Sequence, residues 1–284
     1  MTGADGQLAR AWVAQARPGW AVTALGHAAL DIGDEAAVRA AVDRAAPDLI
    51  LNAAAFTAVD RAEEAREAAF AVNRDGAANL ARAAAASGAR LVHVSTDYVF
   101  DGRSGRPHRP GDPVAPLGVY GASKLAGERA VAAAAPAALI VRAAWVYSPR
   151  PLNFLTTMLQ RMGEGEEVRV VADQIGTPTS AASLAGAVWD LAAAGASGVW
   201  HYTDAGAASW YDFAQAIGEE ALAAGLLTKA PRVTPIVTAE RPTPAARPAF
   251  SVLDTSLTWK RLGRIAPHWR VSLRGVLAEM AGAR

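Results

Sequence analysis

A tyrosine and a lysine stand four residues apart in the segment YGASK, residues 120–124. Residues at this spacing share one face of a helix, so the ammonium group of Lys124 would lie beside the phenol of Tyr120. A nearby cation lowers the pKa of a tyrosine, ordinarily about 10, and such a tyrosine can protonate a ketone oxygen as a hydride reaches the carbonyl carbon. A surface helix with an unrelated tyrosine and lysine has the same pattern, so this motif alone leaves both interpretations open.

Two further segments place functional side chains directly after apolar strand candidates. The segment STDYVFDG, residues 95–102, offers hydroxyls and a carboxylate, and the segment NAAAFTAVD, residues 52–60, offers small side chains that would admit a flat ring. Ligands of open α/β sheets bind at the carboxyl ends of the strands, where both segments would lie. A polar turn and alanine-rich packing are the structural alternatives for the two segments.

A fourth motif is TGADGQLA, residues 2–9, which has small residues at positions 3, 6 and 9. In a strand–turn–helix unit this spacing brings backbone N–H groups close to a pyrophosphate at the start of the helix. A glycine-rich turn that only begins a helix would have the same sequence.

Strands and helices alternate in the first half of the chain and would position these motifs. The strand candidates are Trp20–Leu25, Leu49–Ala54, Leu91–Ser95 and Ala138–Ala143, and the helix candidates are Gln7–Arg17, Asp34–Ala46, Val72–Ser87 and Val119–Ala135. Strands separated by helices predict right-handed crossovers and a parallel sheet covered on both faces. The second half is more irregular, with helix candidates at Asn153–Met162, Ala181–Ala194, Trp210–Ala224 and Val271–Ala281.

Composition excludes several classes of protein and site. The 284 residues include 28 Lys and Arg against 27 Asp and Glu, a formal charge of +1, which gives no electrostatic footprint for nucleic acid or an anionic membrane. Cysteine is absent, and the five histidines have no metal-ligand spacing, so we expect no metal site. No secretion signal or bilayer-spanning apolar run is found, which makes the cytoplasm the expected location.

Together the motifs resemble the extended short-chain dehydrogenase/reductase superfamily and, within it, the dTDP-4-dehydrorhamnose reductase family. The resemblance covers nearly the whole chain and continues through RAAWVYS, DQIGTPTSAASLA, GVWHYTDAGAASWYDFAQAI and RPAFSVLD, at residues 142–148, 173–185, 198–217 and 247–254. It implies an α/β fold with a Rossmann-like, doubly wound parallel sheet over residues 1–148. Residues 149–284 would form a smaller substrate-binding α/β region, with some segments returning to the first domain.

The resemblance also implies roles for individual residues. Tyr120 would be the general acid, Lys124 would bind the nicotinamide ribose and tune Tyr120, and Thr96 would hold the carbonyl oxygen. The substrate sugar would contact Asp97 and Trp145, and its diphosphate would contact Arg247, for which a surface arginine is the alternative. The remaining expected cofactor contacts are Gly3, Gly6, Gln7, Leu8, Asp31, Ile32, Ala55, Phe56 and Thr57.

The family's reaction would be reduction of a dTDP-4-keto sugar, dTDP-4-dehydro-β-L-rhamnose, by NADPH. Position 26 is glycine and position 27 histidine, so neither supplies an acid for a ribose 2′-hydroxyl, which favours NADPH and leaves NADH use open. Another dTDP-keto-sugar reductase and a non-catalytic subunit of the same fold are the alternatives. A homodimer is also compatible with the resemblance.

The chain departs from the family pattern before the glycine motif, where the family has an apolar strand and this sequence has only Met1. A central strand lacking those residues would leave buried backbone groups unpaired, at about 1–3 kcal/mol each. We therefore expect that the true reading frame begins upstream, or that another segment fills the gap.

Overall fold

The computed structural model describes residues 1–283, in which helices and strands alternate through the first half as the sequence predicts. The helices are α1 Gln7–Ala14, α2 Glu35–Ala45, α3 Val59–Glu64, α4 Arg66–Phe70, α5 Ala77–Ser87, α6 Val119–Ala134, α7 Phe154–Gly163, α8 Ala181–Ala193, α9 Trp210–Ala223, α10 Ser256–Leu262 and α11 Trp269–Gly282. The strands are β1 Leu49–Asn52, β2 Arg90–Thr96, β3 Leu139–Ala143, β4 Val146–Tyr147, β5 Val168–Val171, β6 Ile175–Gly176, β7 Thr179–Ser180, β8 Gly198–His201, β9 Ala208–Ser209 and β10 Val233–Ile236.

The central sheet is parallel and has the strand order β1–β2–β3–β8. Apolar clusters cover both of its faces. One cluster includes Leu8 and Trp12 of α1 and the buried side of α8, and the other includes Leu80 of α5 and Val131 of α6. Burial on both faces explains the continuous apolar runs of the strands. The predicted α/β class with a doubly wound parallel sheet is confirmed.

Local sequence signals set the ends of the helices around the sheet. The Asp34 side chain accepts a hydrogen bond from the Ala37 N–H at 3.0 Å and so caps α2, as its residue type predicts. Gly88 ends α5 in the left-handed conformation, with φ +74°. The predicted helix over residues 72–87 differs at its start, where residues 71–76 form a π-helix.

Beyond β1, the first two residues form the pairing at the edge of the sheet. Thr2 forms parallel bridges with Leu25 on one side and Asn52 on the other, and the Leu25 N–H donates to the Met1 carbonyl at 2.9 Å. The predicted strand Trp20–Leu25 is reduced to the bridge at Leu25. Beside Met1 lies a cavity of about 580 Å³, lined by side chains that include Trp20, Val22, Leu49 and Trp189. Within residues 1–283, no other segment fills this place in the sheet.

Residues 146–180 and 203–283 contribute most of a second apolar core. It is built from α7, α9 and α11 together with three two-stranded sheets, β4–β7, β5–β10 and β6–β9. Two of its helices begin with capping boxes, at Asn153 for α7 and at Ser209 for α9. The chain returns to the first core through α8, which packs on α1, and through β8, which pairs with β3. None of the helices in residues 1–283 is long and apolar enough to cross a bilayer.

Candidate active site

The three candidate catalytic residues meet where β2 ends and α6 begins. Thr96 is the last residue of β2, and Tyr120 and Lys124 lie on the first turns of α6. Helix α6 approaches this strand end closely because position 121 is glycine. A Cβ at Gly121 would overlap the Tyr98 carbonyl oxygen. The glycine of the YGASK motif thus brings Tyr120 and Lys124 to the end of the strand.

Lys124 is buried, with 3% of its surface exposed. Its ammonium group donates a hydrogen bond to the Val94 carbonyl oxygen on β2 at 2.6 Å. Burial lowers the pKa of Lys124 to about 8, and the negative charge of Glu128 opposes that change. The ammonium group is therefore held against the strand that carries Thr96.

Tyr120 is half-buried, and its ring makes an edge-to-face contact with Tyr98, with 5.6 Å between the ring centroids. Burial raises the pKa of Tyr120 to about 12, a hydrogen bond with Thr96 opposes the change, and the charge of Asp97 adds to it. The sequence led us to expect a lowered pKa. In this arrangement the phenol instead keeps its proton at neutral pH and is a hydrogen-bond donor.

Asp97 lies in the same cluster, with 1% of its surface exposed. Its Oδ1 accepts a hydrogen bond from the Thr96 hydroxyl at 3.0 Å, whereas Oδ2 is buried without a hydrogen-bond partner in residues 1–283. Burial raises the pKa of Asp97 to about 6, and the hydroxyls of Ser251 and Thr96 oppose the change. A buried carboxyl oxygen without a partner is suited to bind a hydroxyl group of a ligand.

A buried ion pair supports this cluster from behind and was not found by sequence reasoning. Glu128, one helical turn after Lys124, accepts hydrogen bonds from Arg142 on β3 at 2.7 and 2.9 Å and from the Ser95 hydroxyl. The Arg142 guanidinium also lies over the Phe100 ring, 5.1 Å from its centroid. The pair ties α6 to β2 and β3. The only sequence signal is that Glu128 continues the four-residue spacing of Tyr120 and Lys124.

The predicted phosphate-binding glycines form a tight turn against the end of β1. Gly3 has φ +74°, and a Cβ at this position would lie 2.7 Å from the Ala54 nitrogen and 2.8 Å from the Ala53 carbonyl carbon. Gly6 precedes α1 as its N-cap residue, and its N–H donates to the Gly3 carbonyl at 2.9 Å. The backbone of Ala53 and Ala54 leaves no room for a side chain at position 3. The turn therefore presents bare backbone at a helix N-terminus, which is the arrangement that binds a pyrophosphate.

Gln7 and Leu8 follow this turn and face different neighbours. The Gln7 amide donates to the Val146 carbonyl at 3.3 Å, and its oxygen accepts from the Ser148 hydroxyl at 2.9 Å. Leu8 is buried in the apolar cluster that α1 forms with α8. Gln7 thus joins the glycine turn to β4, and the Leu8 side chain fixes the start of α1.

Residues 55–57, the predicted strand-end cofactor contact, are held by a buried asparagine. The Asn73 side chain accepts from the Phe56 N–H at 2.8 Å, donates to the Phe56 carbonyl at 3.1 Å, and donates to the Ser123 hydroxyl at 2.9 Å. Ala55, Phe56 and Thr57 are therefore coupled through Asn73 to the helix that carries Tyr120. Sequence reasoning missed Asn73, which lies in a segment with ordinary helical composition.

The predicted adenine-side residues, Asp31 and Ile32, lie near the edge of the sheet. The Asp31 carboxylate accepts from the Gly33 N–H at 2.8 Å, and the Ile32 carbonyl accepts from the Asn79 amide at 2.8 Å. The Ile32 side chain is buried against Gly76, in the apolar cluster that includes Leu80 of α5. The structure fixes the backbone here, and contact of these two residues with an adenine stays a prediction.

Trp145, a predicted sugar contact, follows β3 two residues after Ala143, the register partner of Thr96. Its backbone is in the left-handed region, with φ +48°, a strained conformation for a bulky residue. The indole stacks on Trp210, with centroids 3.6 Å apart and planes 8° apart. It also lies on Gly176, where a Cβ would be 2.5 Å from its Cε2 atom. Trp210 and Gly176 therefore determine where Trp145 lies.

Arg247, the candidate for the substrate diphosphate, is half-buried beside the catalytic cluster. Its guanidinium forms an ion pair with Asp60 at 2.8 Å and a hydrogen bond with Tyr98, the ring that contacts Tyr120. The structure therefore brings Arg247 to the tyrosine pair. Its proposed contact with a diphosphate stays a prediction.

Comparison with known proteins places the chain in a family. The family model for the RmlD substrate binding domain matches residues 1–281. The chain is 44% identical over 292 residues to a dTDP-4-dehydrorhamnose reductase of Mycobacterium tuberculosis, covering 100% of this chain and 93% of that protein. It is 42% identical over 281 residues to the enzyme of the same name from Sinorhizobium fredii, covering 96% and 94%.

The chain belongs to the dTDP-4-dehydrorhamnose reductase family. Among solved structures, a dTDP-4-dehydrorhamnose reductase of Bacillus anthracis in complex with NADP is similar, with a TM-score of 0.92 and 35% identity over 98% of this chain and 97% of that one. The resemblance that the motifs predicted is confirmed. Within this family fold, the described residues contain no group of three or more acidic or histidine side chains arranged to hold a metal ion.

Proposed function

We propose that this chain reduces the 4-keto group of dTDP-4-dehydro-β-L-rhamnose to give dTDP-L-rhamnose, with NADPH as reductant. The observation that carries the proposal is the cluster of Thr96, Tyr120 and Lys124 at one strand end, in a chain whose full length matches the family. Two relatives named for this activity cover nearly all of the chain, which supports the substrate.

The residues present fit a dinucleotide cofactor. The turn at Gly3 and Gly6 is a cradle that a Cβ at position 3 would fill, and it leads directly into the N-terminus of α1. The Asn73 side chain binds both the Phe56 backbone and the hydroxyl of Ser123, which precedes Lys124. One side chain therefore holds the expected cofactor-binding segment and the helix of the candidate catalytic residues. When bound, NADPH supplies the hydride for the carbonyl carbon.

The chain's own residues then supply the proton and hold the ketone. Tyr120 keeps its proton at neutral pH, so it can donate a hydrogen bond to the keto oxygen and then the proton itself. Thr96, hydrogen-bonded to Tyr120, would share that oxygen. Lys124 would bind the nicotinamide ribose and lower the pKa of Tyr120 once its ammonium group is shared with the ribose hydroxyls.

The sugar would lie between the catalytic cluster and Trp145. The carboxyl group of Asp97 has a free buried oxygen for a sugar hydroxyl, and an indole provides an apolar surface with one N–H donor. Arg247 would bind the diphosphate of the nucleotide. Its position beside Tyr98 supports this role, and its ion pair with Asp60 would then have to be shared or released.

The decisive experiment follows NADPH oxidation with dTDP-4-dehydro-β-L-rhamnose and identifies the product by NMR. We expect dTDP-L-rhamnose from the wild-type chain and a loss of kcat of about 10²–10⁴-fold in Tyr120→Phe, with NADPH binding retained. Tyr211→Phe, a half-buried tyrosine on α9, is the matched control. A faster reaction with a second dTDP-4-keto sugar would instead assign another sugar substrate. Intact NADPH binding without turnover would assign a non-catalytic subunit.

Two further properties, a homodimer and a cytoplasmic location, stay predictions. A homodimer would be detected by light scattering of the purified chain. A cytoplasmic location would be tested by fractionation of cells that express the gene.

A further inference from the structure

The carboxylate of Asp5 occupies a position in the cofactor region that the sequence does not reveal. Dinucleotide-binding folds usually carry an acidic residue about 20 positions after the glycine turn, where it accepts the ribose 2′-hydroxyl of NADH. The corresponding strand end here is Leu25, and the residue after it is Gly26. By sequence alone, the acid is absent.

The structure places an acid at that site from a different part of the chain. A Cβ built on Gly26 would overlap the Asp5 Oδ2 atom and lie 3.0 Å from its Cγ and 3.1 Å from its Oδ1, and these are the three nearest atoms. The Asp5 carboxylate therefore fills the space of a side chain at position 26. Asp5 lies inside the glycine turn itself, between Gly3 and Gly6.

The Asp5 carboxylate is also available to a ligand. Asp5 is exposed, and within residues 1–283 its side chain accepts no hydrogen bond and forms no ion pair. The Arg10 guanidinium lies beside the same turn but binds the backbone, since its Nε–H donates to the carbonyl of Asp5 at 3.2 Å. A guanidinium beside the same turn is suited to a 2′-phosphate, whereas the carboxylate is suited to a 2′-hydroxyl.

We propose that Asp5 takes the place of the missing acid at position 26 and sets the preference between NADH and NADPH. This inference rests on the proposed function, because it requires that a dinucleotide bind at the glycine turn. Asp5 accepts the ribose 2′-hydroxyl of NADH and repels the 2′-phosphate of NADPH. Asp5 consequently lowers the affinity for NADPH relative to that for NADH.

The test measures dissociation constants for NADPH and NADH by quenching of tryptophan fluorescence, without substrate. Asp5→Asn removes the repulsion, so we expect tighter NADPH binding and a shift of about tenfold in the ratio of the two constants toward NADPH. Asp5→Ala also removes the hydrogen-bond acceptor, so NADH binding should weaken. Asp43→Asn, at an exposed position of α2, is the control for a change in net charge.

A relocated acid distinguishes a direct role from a disturbed turn. In the double variant with Asp5→Ala and Gly26→Asp, the carboxylate returns from position 26, and we expect NADH binding to recover to the wild-type value. An unchanged ratio in Asp5→Asn, or a ratio that moves equally in Asp43→Asn, overturns the inference while the proposed function stands. If the wild-type chain binds neither nucleotide, the proposed function fails and this inference fails with it.

Discussion

The Lys124 ammonium group donates to the Val94 carbonyl oxygen at 2.6 Å, which fixes the helix of Tyr120 to the strand of Thr96. The pKa of Lys124 is lowered to about 8 by burial. A lysine is charged below its pKa, so the charged fraction falls as pH rises through about 8. We expect kcat/KM to decrease over that range because, in the proposed function, it is the ammonium form that binds the ribose and assists Tyr120.

Glu128→Gln tests this assignment. The Glu128 charge raises the pKa of Lys124, so its removal should move the alkaline limb of the pH profile to lower pH. Glu67→Gln, an exposed glutamate on α4, should leave the limb in place. A limb that does not move in Glu128→Gln would assign the titration to another group.

Loss of either partner of the ion pair between Glu128 and Arg142 should destabilise the fold strongly because both side chains are buried, at 5% exposure each. Removal of one partner leaves the other charge uncompensated in the interior, at about 3–5 kcal/mol. We therefore expect Arg142→Met to lower the free energy of unfolding by that amount in urea denaturation. Arg82→Ala, which breaks an exposed pair with Glu35, should cost less than about 1 kcal/mol. Equal losses in the two variants would contradict the prediction.

Asp97 should make the protein less stable as pH rises from about 4 to 6. Its pKa is raised to about 6 in the folded chain from 3.8, so the folded state holds a proton over that range that the unfolded state has lost. Asp97→Asn should flatten the dependence of Tm on pH there and should increase stability at pH 7 by about 3 kcal/mol. The same variant should raise the KM for the sugar nucleotide. A pH dependence identical to that of the wild type would show that folding does not change the pKa of Asp97.

The sequence was sufficient to predict the elements that carry the candidate catalytic residues. Helix α6 was predicted at residues 119–135 and is observed at Val119–Ala134, because Pro136 ends it and its four-residue spacing is local. The strand end at Thr96 was equally clear, because an apolar run changes there to polar residues. These features depend on neighbouring residues in the sequence, so the sequence alone is enough to predict them.

The contacts that orient the site depend on residues far apart in the chain. Asn73 binds Phe56 and Ser123, and the Asp5 carboxylate fills the space beside Gly26, although nothing in the local sequence indicates either contact. The pKa of Tyr120 was also predicted in the wrong direction. Its value depends on burial and on Asp97, which only the folded arrangement reveals.

The stacked pair of Trp145 and Trp210 provides the last prediction. Gly176 lies against the Trp145 indole, and a Cβ there would be 2.5 Å from Cε2 and 2.7 Å from Nε1, so Gly176→Ala must displace the ring. We expect a KM for the sugar nucleotide raised by about tenfold or more, with little change in NADPH affinity. The exciton signal of two stacked indoles in circular dichroism should weaken in parallel.

The control for Gly176→Ala is Gly163→Ala at the end of α7, where the added methyl would have ordinary contact with Leu227 at 3.9 Å. It should keep both the exciton signal and the KM. The positive φ of Trp145 is strained, so loss of the stack would also free its backbone to move to a more favourable conformation. A Gly176→Ala variant that loses the exciton signal but keeps the wild-type KM would show that Trp145 is structural and does not contact the sugar.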